Sequence, residues 1–353
     1  MNCAVAPRVG SAKSLIPESP AIAPALLADA VARLRAGELV AFPTETVYGL
    51  GADASNPEAV QRIFALKGRP SSHPLIVHLP DVSHLGRWAA GVTAAADLLA
   101  RKFWPGPLTL IVDKAAHVSP QITGGQDSIG LRVPAHPLAQ ALLRAFGGGI
   151  AAPSANRYGH LSPTTAAHVR AEFGAGVPLV LDGGACAVGI ESTIVDARSN
   201  DVRILRPGML GAETIAAALR HLPGARLVDD GAAADAPRVP GSTASHYAPA
   251  VPLQLLDRER LLAVLESVKD GGKRVAVIAR TPPPAALRAR VESGVIVWST
   301  IAGDAAAYAH DLYAVLHDLE TRGVSRILVE EPSSKPEWQA IRDRLQRAAH
   351  DAR

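Results

Sequence analysis

The sequence predicts an α/β chain with a twisted mixed sheet in a larger first domain, followed by a smaller Rossmann-like domain. Three observations carry this reading. Short apolar and β-branched runs recur from residue 38 to 208 with fewer helical patterns between them, a mixture that a strictly alternating parallel sheet does not produce. Residues 211–250 are rich in Ala, Pro, Gly and Ser, the composition of a linker. Beyond them strand and helix patterns alternate.

Each element has its own signal. Residues 25–36 place Leu27, Val31 and Leu34 on one helical face, and Gly37 is a natural stop. "ELVAF" reads as a buried strand. Asn56 caps a helix with Pro57 at its first position and Val60, Ile63 and Phe64 inward, ending near Lys67–Pro70. "PLIVHL" is the next strand. A helix is expected over 93–103, strands over 108–112 and 128–133, a helix over 137–146 and a strand over 150–152. "PLVLDGG", "ESTIVDA" and "VRILRPG" read as three more strands, and "GAETIAAALRHL" as a helix that leads into the linker. In the second domain "RVAVIAR", "VIVWS" and "RILVEEP" are strands, with helices over 303–322 and 336–349. No G-x-G-x-x-G follows its first strand, so dinucleotide binding there has no support.

The bulk numbers narrow the function. With 353 residues, 48% hydrophobic and 20% charged, the chain is globular and long enough for two cores. A net charge of +3 is too mild to argue for nucleic-acid binding. Cys3 and Cys186 cannot build a disulfide framework or a Cys-based zinc site. No apolar run nears the roughly 18 residues that span a bilayer, and residues 1–21 read as a flexible tail without a secretory pattern. The expected setting is the cytoplasm.

The first domain repeatedly puts polar residues where a strand finishes. "FPTETVYGLG" ends a strand in hydroxyls and a carboxylate beside two glycines that would let the chain turn tightly. Lys67 and Arg69 precede the strand that carries His78. Ser128 and Arg132 share another strand. "PSAN" supplies Ser154 and Asn156, followed by Ser162 and Thr164; "GIESTIVD" supplies Glu191 and Ser192, and "ILRPG" supplies Arg206. Taken singly, these are a helix-dipole pair, turn formers, a half-buried histidine and a surface arginine. Converging at one sheet end, they would suit a polyanion together with a small zwitterion. Walker A, H-E-x-x-H and G-x-S-x-G patterns are absent; "GGKR" at 271–274 lacks the leading glycine and the Ser/Thr.

At these residues the sequence resembles the YrdC/Sua5 family, the L-threonylcarbamoyladenylate synthases of tRNA modification, in its long Sua5 form. "FPTETVYGLG", "LKGRP", "PLIVH", "FWPGPLTL", "LRVPAHP", "PSAN", "SPT", "IESTIVD" and "ILRPG" occur in family order across 22–210, and "PGSTASHYAP" and "AIRDRLQRAA" extend the likeness. The resemblance implies a YrdC-like catalytic domain at 22–210, a linker at 211–250 over the active site and a Sua5 domain at 251–353. It implies that L-threonine, bicarbonate or CO2, and ATP give threonylcarbamoyl-AMP and pyrophosphate. A partner transferase complex then makes t6A at adenosine 37 of tRNAs reading ANN codons. It further implies Lys67 and Arg69 as catalytic cations; Thr44, His78, Arg132, Ser154 and Ser192 as threonine contacts; and Lys67, Ser71, Ser128, Asn156, Thr164, Arg206 and Tyr247 on the ATP side. Mg2+ is expected with ATP, and no carboxylate cluster names its protein ligands. A weak contact with tRNA is expected, and none with a membrane. Two departures stand out: "SSH" at 71–73, where relatives often have a charged residue followed by Asp-Asn, and "PEW" at 336–338 in place of a Gly-Leu-Gly.

Two other readings compete with this one. A non-catalytic RNA-binding module would use the same basic hollow, but the mild charge and the lack of a base-stacking motif argue against it. The hydrogenase-maturation carbamoyltransferase needs zinc-binding cysteines that a chain with two cysteines does not have.

Overall fold

The computed structural model describes residues 23–228, 236–241, 247–269, 272–301 and 303–350. The expected N-terminal tail over 1–21, and Ser245 and His246 of "SHYAP", lie outside the described residues.

The chain opens with α1 (Pro24–Arg35), β1 (Val40–Phe42), β2 (Gly49–Asp53), α2 (Pro57–Lys67) and β3 (Ile76–His78). It continues with α3 (Leu85–Trp88), α4 (Ala94–Phe103), β4 (Leu108–Asp113), α5 (Pro120–Thr123), β5 (Ser128–Arg132), α6 (Pro137–Phe146) and β6 (Ile150–Ala151). Then come α7 (Ala166–Phe173), β7 (Leu179–Val180), β8 (Thr193–Asp196), β9 (Asp201–Arg206), α8 (Ala212–Leu219) and β10 (Arg226–Leu227). These strands form one ten-stranded sheet in the order β10-β9-β8-β4-β5-β3-β6-β2-β1-β7. It is mixed: β3 runs parallel to β5 and β4 to β8, while β4–β5, β3–β6 and β1–β2 are antiparallel.

The second domain holds β11 (Leu253–Leu256), α9 (Arg258–Glu266), β12 (Val275–Ala279), α10 (Arg288–Glu292), β13 (Ile296–Thr300), α11 (Ala305–Thr321), β14 (Arg326–Glu330) and α12 (Gln339–Ala348). Its four strands are all parallel, in the order β11-β14-β12-β13. Helices therefore cover both faces, as apolar cores on either side of the sheet show.

The sequence explains the boundaries. Asn56 Oδ1 accepts the amides of Glu58 and Ala59, and Gly68 closes α2 in the left-handed region at φ 63°. Strand periodicity divides β5: Ile129 and Leu131 enter the main core, leaving Ser128, Gly130 and Arg132 on the opposite face. In β3, Val77 enters that core, while Ile76 and His78 face the other way.

Some expectations change. "YGLGAD" is a strand and not a turn. A side chain on Gly51 would come within 2.8 Å of Phe42 and 2.9 Å of Ile150, so its glycine serves close layer packing. The helix expected over "GAETIAAALRHL" forms as α8, and β10, which was not expected, follows it. There Ile215, Ala218 and Leu219 join the first domain's core and β10 extends its sheet. The short helix α7, and β11 with α9, were not expected. Among the described residues no helix is long and apolar enough to cross a membrane.

Candidate active site

A cavity lies over the face of the sheet that carries His78 and Arg132. Parallel pairing sets these two residues side by side in register. The loop between β1 and β2 adds Thr44, Thr46 and Val47. The segment after β6 adds Pro153 and Ser154, the approach to β8 adds Glu191 and Ser192, and β9 ends in Arg206. Arg69, just past α2, completes the wall. Pro240, Gly241 and Tyr247 close the cavity from the linker, and Val239 packs on Ile76, Ile111 and Ile194 beneath them.

Arg132 is fixed from three sides. Its Nη2 pairs with Glu45 Oε1 at 2.8 Å, Nη1 donates to Thr46 Oγ1 at 2.9 Å and Nε donates to the Gly106 carbonyl at 3.2 Å. Glu45 is itself held by the Ala135 amide at 2.9 Å, and Thr44 and Thr46 share a 2.8 Å hydroxyl contact. A guanidinium has five N–H donors, so this anchoring leaves N–H groups for a second anion. His78 is buried, and burial beside Arg132 lowers its pKa to about 3. The ring is neutral at working pH, and its Nδ1 is buried without a hydrogen-bond partner.

Three further cations are buried with only neutral oxygens for company. Lys67 Nζ donates to the Ser154 carbonyl at 2.6 Å and to the Asn156 carbonyl. This ties the "PSAN" loop to the end of α2. Arg69 Nη2 donates to the Pro74 carbonyl at 2.9 Å, and its guanidinium lies 5.8 Å from the Tyr158 ring centroid. Arg206 donates to the carbonyl and hydroxyl of Ser192 at 2.9 and 3.2 Å, and to the Pro240 carbonyl at 2.9 Å. Burial pushes Lys67 well below its usual range, helped by Arg69, and brings Arg69 down to about 10. Burial also lowers Arg206. Buried cations without a counter-anion are costly, so the cavity is poised for an anion that would compensate them.

The expected site residues therefore divide. Thr44, Arg69, His78, Arg132, Ser154, Ser192, Arg206 and Tyr247 line one cavity. Lys67 and Asn156 stand behind Ser154. The Asn156 amide donates to the carbonyls of Arg157 and His160, and its Oδ1 is buried without a partner. Three residues are not brought to the wall. Ser71 is exposed just past α2. Ser128 lies four residues along β5 from Arg132, roughly 13 Å away. Thr164 turns its hydroxyl to His168 Nδ1 at 3.4 Å.

Thr46, Glu45 and Glu191 belong to the site but were not assigned roles by sequence. So does Arg344, which pairs with Glu191 at 2.8 Å. A signal for Arg344 exists: Ala340, Ile341, Arg344, Leu345 and Ala348 form the buried stripe of α12, and a charge on such a stripe needs a partner. Among the described residues no group of three or more His, Cys, Asp or Glu could hold a metal. Glu191, the carboxylate that lines the cavity, is already paired with Arg344, as Glu45 is with Arg132, so these residues do not form a protein cage for Mg2+.

Fold and site together define a two-domain α/β protein with a cation-lined cavity between its sheet and its linker. A Sua5/YciO/YrdC family model described as telomere recombination matches residues 32–208, and the model for the C-terminal domain of threonylcarbamoyl-AMP synthase matches 210–350. The chain is 39% identical to the threonylcarbamoyl-AMP synthase of Bacillus subtilis over 92% of each chain. It is 36% identical to that of Pyrococcus abyssi over 90% of this chain and 92% of the relative. A crystal structure of P. abyssi Sua5 complexed with L-threonine matches with a TM-score of 0.82 and 35% identity, covering 92% of this chain and 94% of that one. This chain belongs to the Sua5/YrdC family of threonylcarbamoyl-AMP synthases.

Proposed function

We propose that this chain is an L-threonylcarbamoyladenylate synthase, converting L-threonine, bicarbonate or CO2, and ATP into threonylcarbamoyl-AMP and pyrophosphate. The observation that carries this reading is the trio Lys67, Arg69 and Arg206. Arg69 and Arg206 line one cavity, Lys67 is buried behind its Ser154, and none has a carboxylate at ion-pair distance among the described residues. Family membership and the threonine complex of the P. abyssi relative support it.

In the proposed reaction the threonine amine adds to CO2 and loses a proton, giving a carbamate. A carbamate oxygen then forms a bond to the α-phosphorus of ATP while the bond to the β-phosphate oxygen breaks, and pyrophosphate leaves. Two anions must meet, so cations have to offset their repulsion. Lys67, Arg69 and Arg206 take that role, and a bound triphosphate would restore the full charge of Lys67. Arg132, with Thr44, Ser154 and Ser192, receives the amino acid, and neutral His78 offers a hydrogen bond without competing for the phosphates. Tyr247, with Pro240 and Gly241, excludes water from the short-lived carbamate. Asn156 shapes the nucleotide side; Ser71, Ser128 and Thr164 would reach ATP only if the nucleotide extends beyond the cavity seen here. Mg2+ arrives on the triphosphate as part of the substrate. The product passes to a threonylcarbamoyl transferase complex that modifies adenosine 37 of ANN-reading tRNAs in the cytoplasm, with weak direct contact to tRNA.

The test is pyrophosphate release from ATP and bicarbonate, with and without L-threonine. Release that depends on threonine is expected. Threonine-independent release, or none, contradicts the proposal.

A further inference from the structure

The second domain reaches the cavity through one buried cluster. Glu191, in the wall beside Ser192, accepts hydrogen bonds from Ser162 Oγ at 2.5 Å, the Tyr313 hydroxyl at 3.2 Å and Arg344 Nε at 2.8 Å. Ser162 belongs to the first domain; Tyr313 and Arg344 come from α11 and α12. Arg344 is 1% exposed and also pairs with Asp343 at 2.6 Å. Its guanidinium lies 5.1 Å from the centroid of the Tyr247 ring, and Tyr247 closes the cavity from the linker. A single side chain thus touches both wall and roof.

Apolar contact already holds the domains together. Val47, Leu161, Ile190 and Tyr247 share one core with residues of α11 and α12, among them Tyr313 and Ile341. A buried ion pair adds little net stability over apolar groups of similar volume. What it adds is direction, since hydrogen bonds fix an angle as well as a distance.

We infer that Arg344 is a positioning residue for the synthase reaction: seating the second domain sets the Glu191–Ser192 wall and holds Tyr247 over the cavity through this one guanidinium. The inference rests on the function proposed above.

The experiment compares wild type, Arg344→Met and Arg344→Lys as full-length chains in two assays. In threonine-dependent pyrophosphate release below the melting transition, R344M is expected to lose at least tenfold in kcat, and its melting temperature falls because Glu191 is left buried without its counter-cation. R344K, which keeps the charge but not the planar fork, recovers part of the lost kcat. Trypsin cleavage after the exposed linker residue Arg238 reads the roof without needing turnover. R344M is expected to be cut there several times faster than wild type, with cleavage elsewhere unchanged. Wild-type kcat, or equal cleavage at Arg238, overturns the inference. Should R344M not fold, Tyr313→Phe removes one donor to the same carboxylate; a several-fold loss of kcat supports the role and an unchanged kcat overturns it. An inert wild type contradicts the proposed function, and the cleavage comparison then still decides the role of Arg344.

Discussion

Arg132 is held by Glu45, Thr46 and the Gly106 carbonyl, and it faces the cavity with donors to spare. Losing a charged hydrogen bond typically costs about 2 kcal/mol, roughly thirtyfold in affinity. Arg132→Ala is therefore expected to raise the Kd for L-threonine by about that factor in calorimetry, with a smaller effect on ATP. Unchanged threonine affinity with lost ATP binding would contradict the assignment. The buried histidines predict a pH response. Burial lowers His78 to about 3 and His168, stacked 4.0 Å from His317, to about 4. Both folded values lie below the unfolded value of about 6.5. Above pH 6.5 neither state binds these protons. As pH falls below it, the unfolded chain takes up protons that the folded chain refuses, and stability falls until the folded values are reached. The urea midpoint should drop between pH 7 and pH 5, and His168→Gln should reduce the drop. A flat profile would contradict this.

At the scale of elements, β2 depends on a missing side chain. A Cβ on Gly51 would press on Phe42 and Ile150 and come within 3.1 Å of the Val40 carbonyl. Gly51→Ala should cost about 1–3 kcal/mol through overpacking, measured by urea denaturation; a neutral effect would show that the layers yield. The same strand marks the limit of what sequence could show. Helix α2 was legible because Asn56, Pro57 and Gly68 punctuate it, and β5 because its apolar residues alternate. Strand β2 was not, since two glycines and a polar loop carry the signal of a turn. Helix α7 was hidden because "SPTT" before it reads as loop, although Thr165 caps it. The convergence of Thr44, Arg132, Ser192 and Arg206 was legible from polar residues at strand ends. The burial of Arg344 against Glu191 was not, because periodicity shows which face of a helix is buried but not what it is buried against.

At the scale of the whole molecule, the two domains meet closely at Gly189. It sits at φ 82°, and a side chain there would come within 2.5 Å of the Ala309 carbonyl and the His310 Cα of α11. Backbone cannot yield as a side chain end can. Gly189→Ala is expected to split thermal unfolding into two transitions and to lower threonine-dependent pyrophosphate release at least tenfold. A single transition at the wild-type temperature would contradict the tight seating of the domains. The central claim is that one cationic hollow holds both substrates. Its most direct test is a crystal structure with L-threonine and a non-hydrolysable ATP analogue. The account predicts both in the same cavity, with the amino-acid carboxylate against Arg132 and the phosphates within hydrogen-bond reach of Lys67, Arg69 or Arg206. Ligands bound in separate cavities, or phosphates far from all three cations, would contradict it.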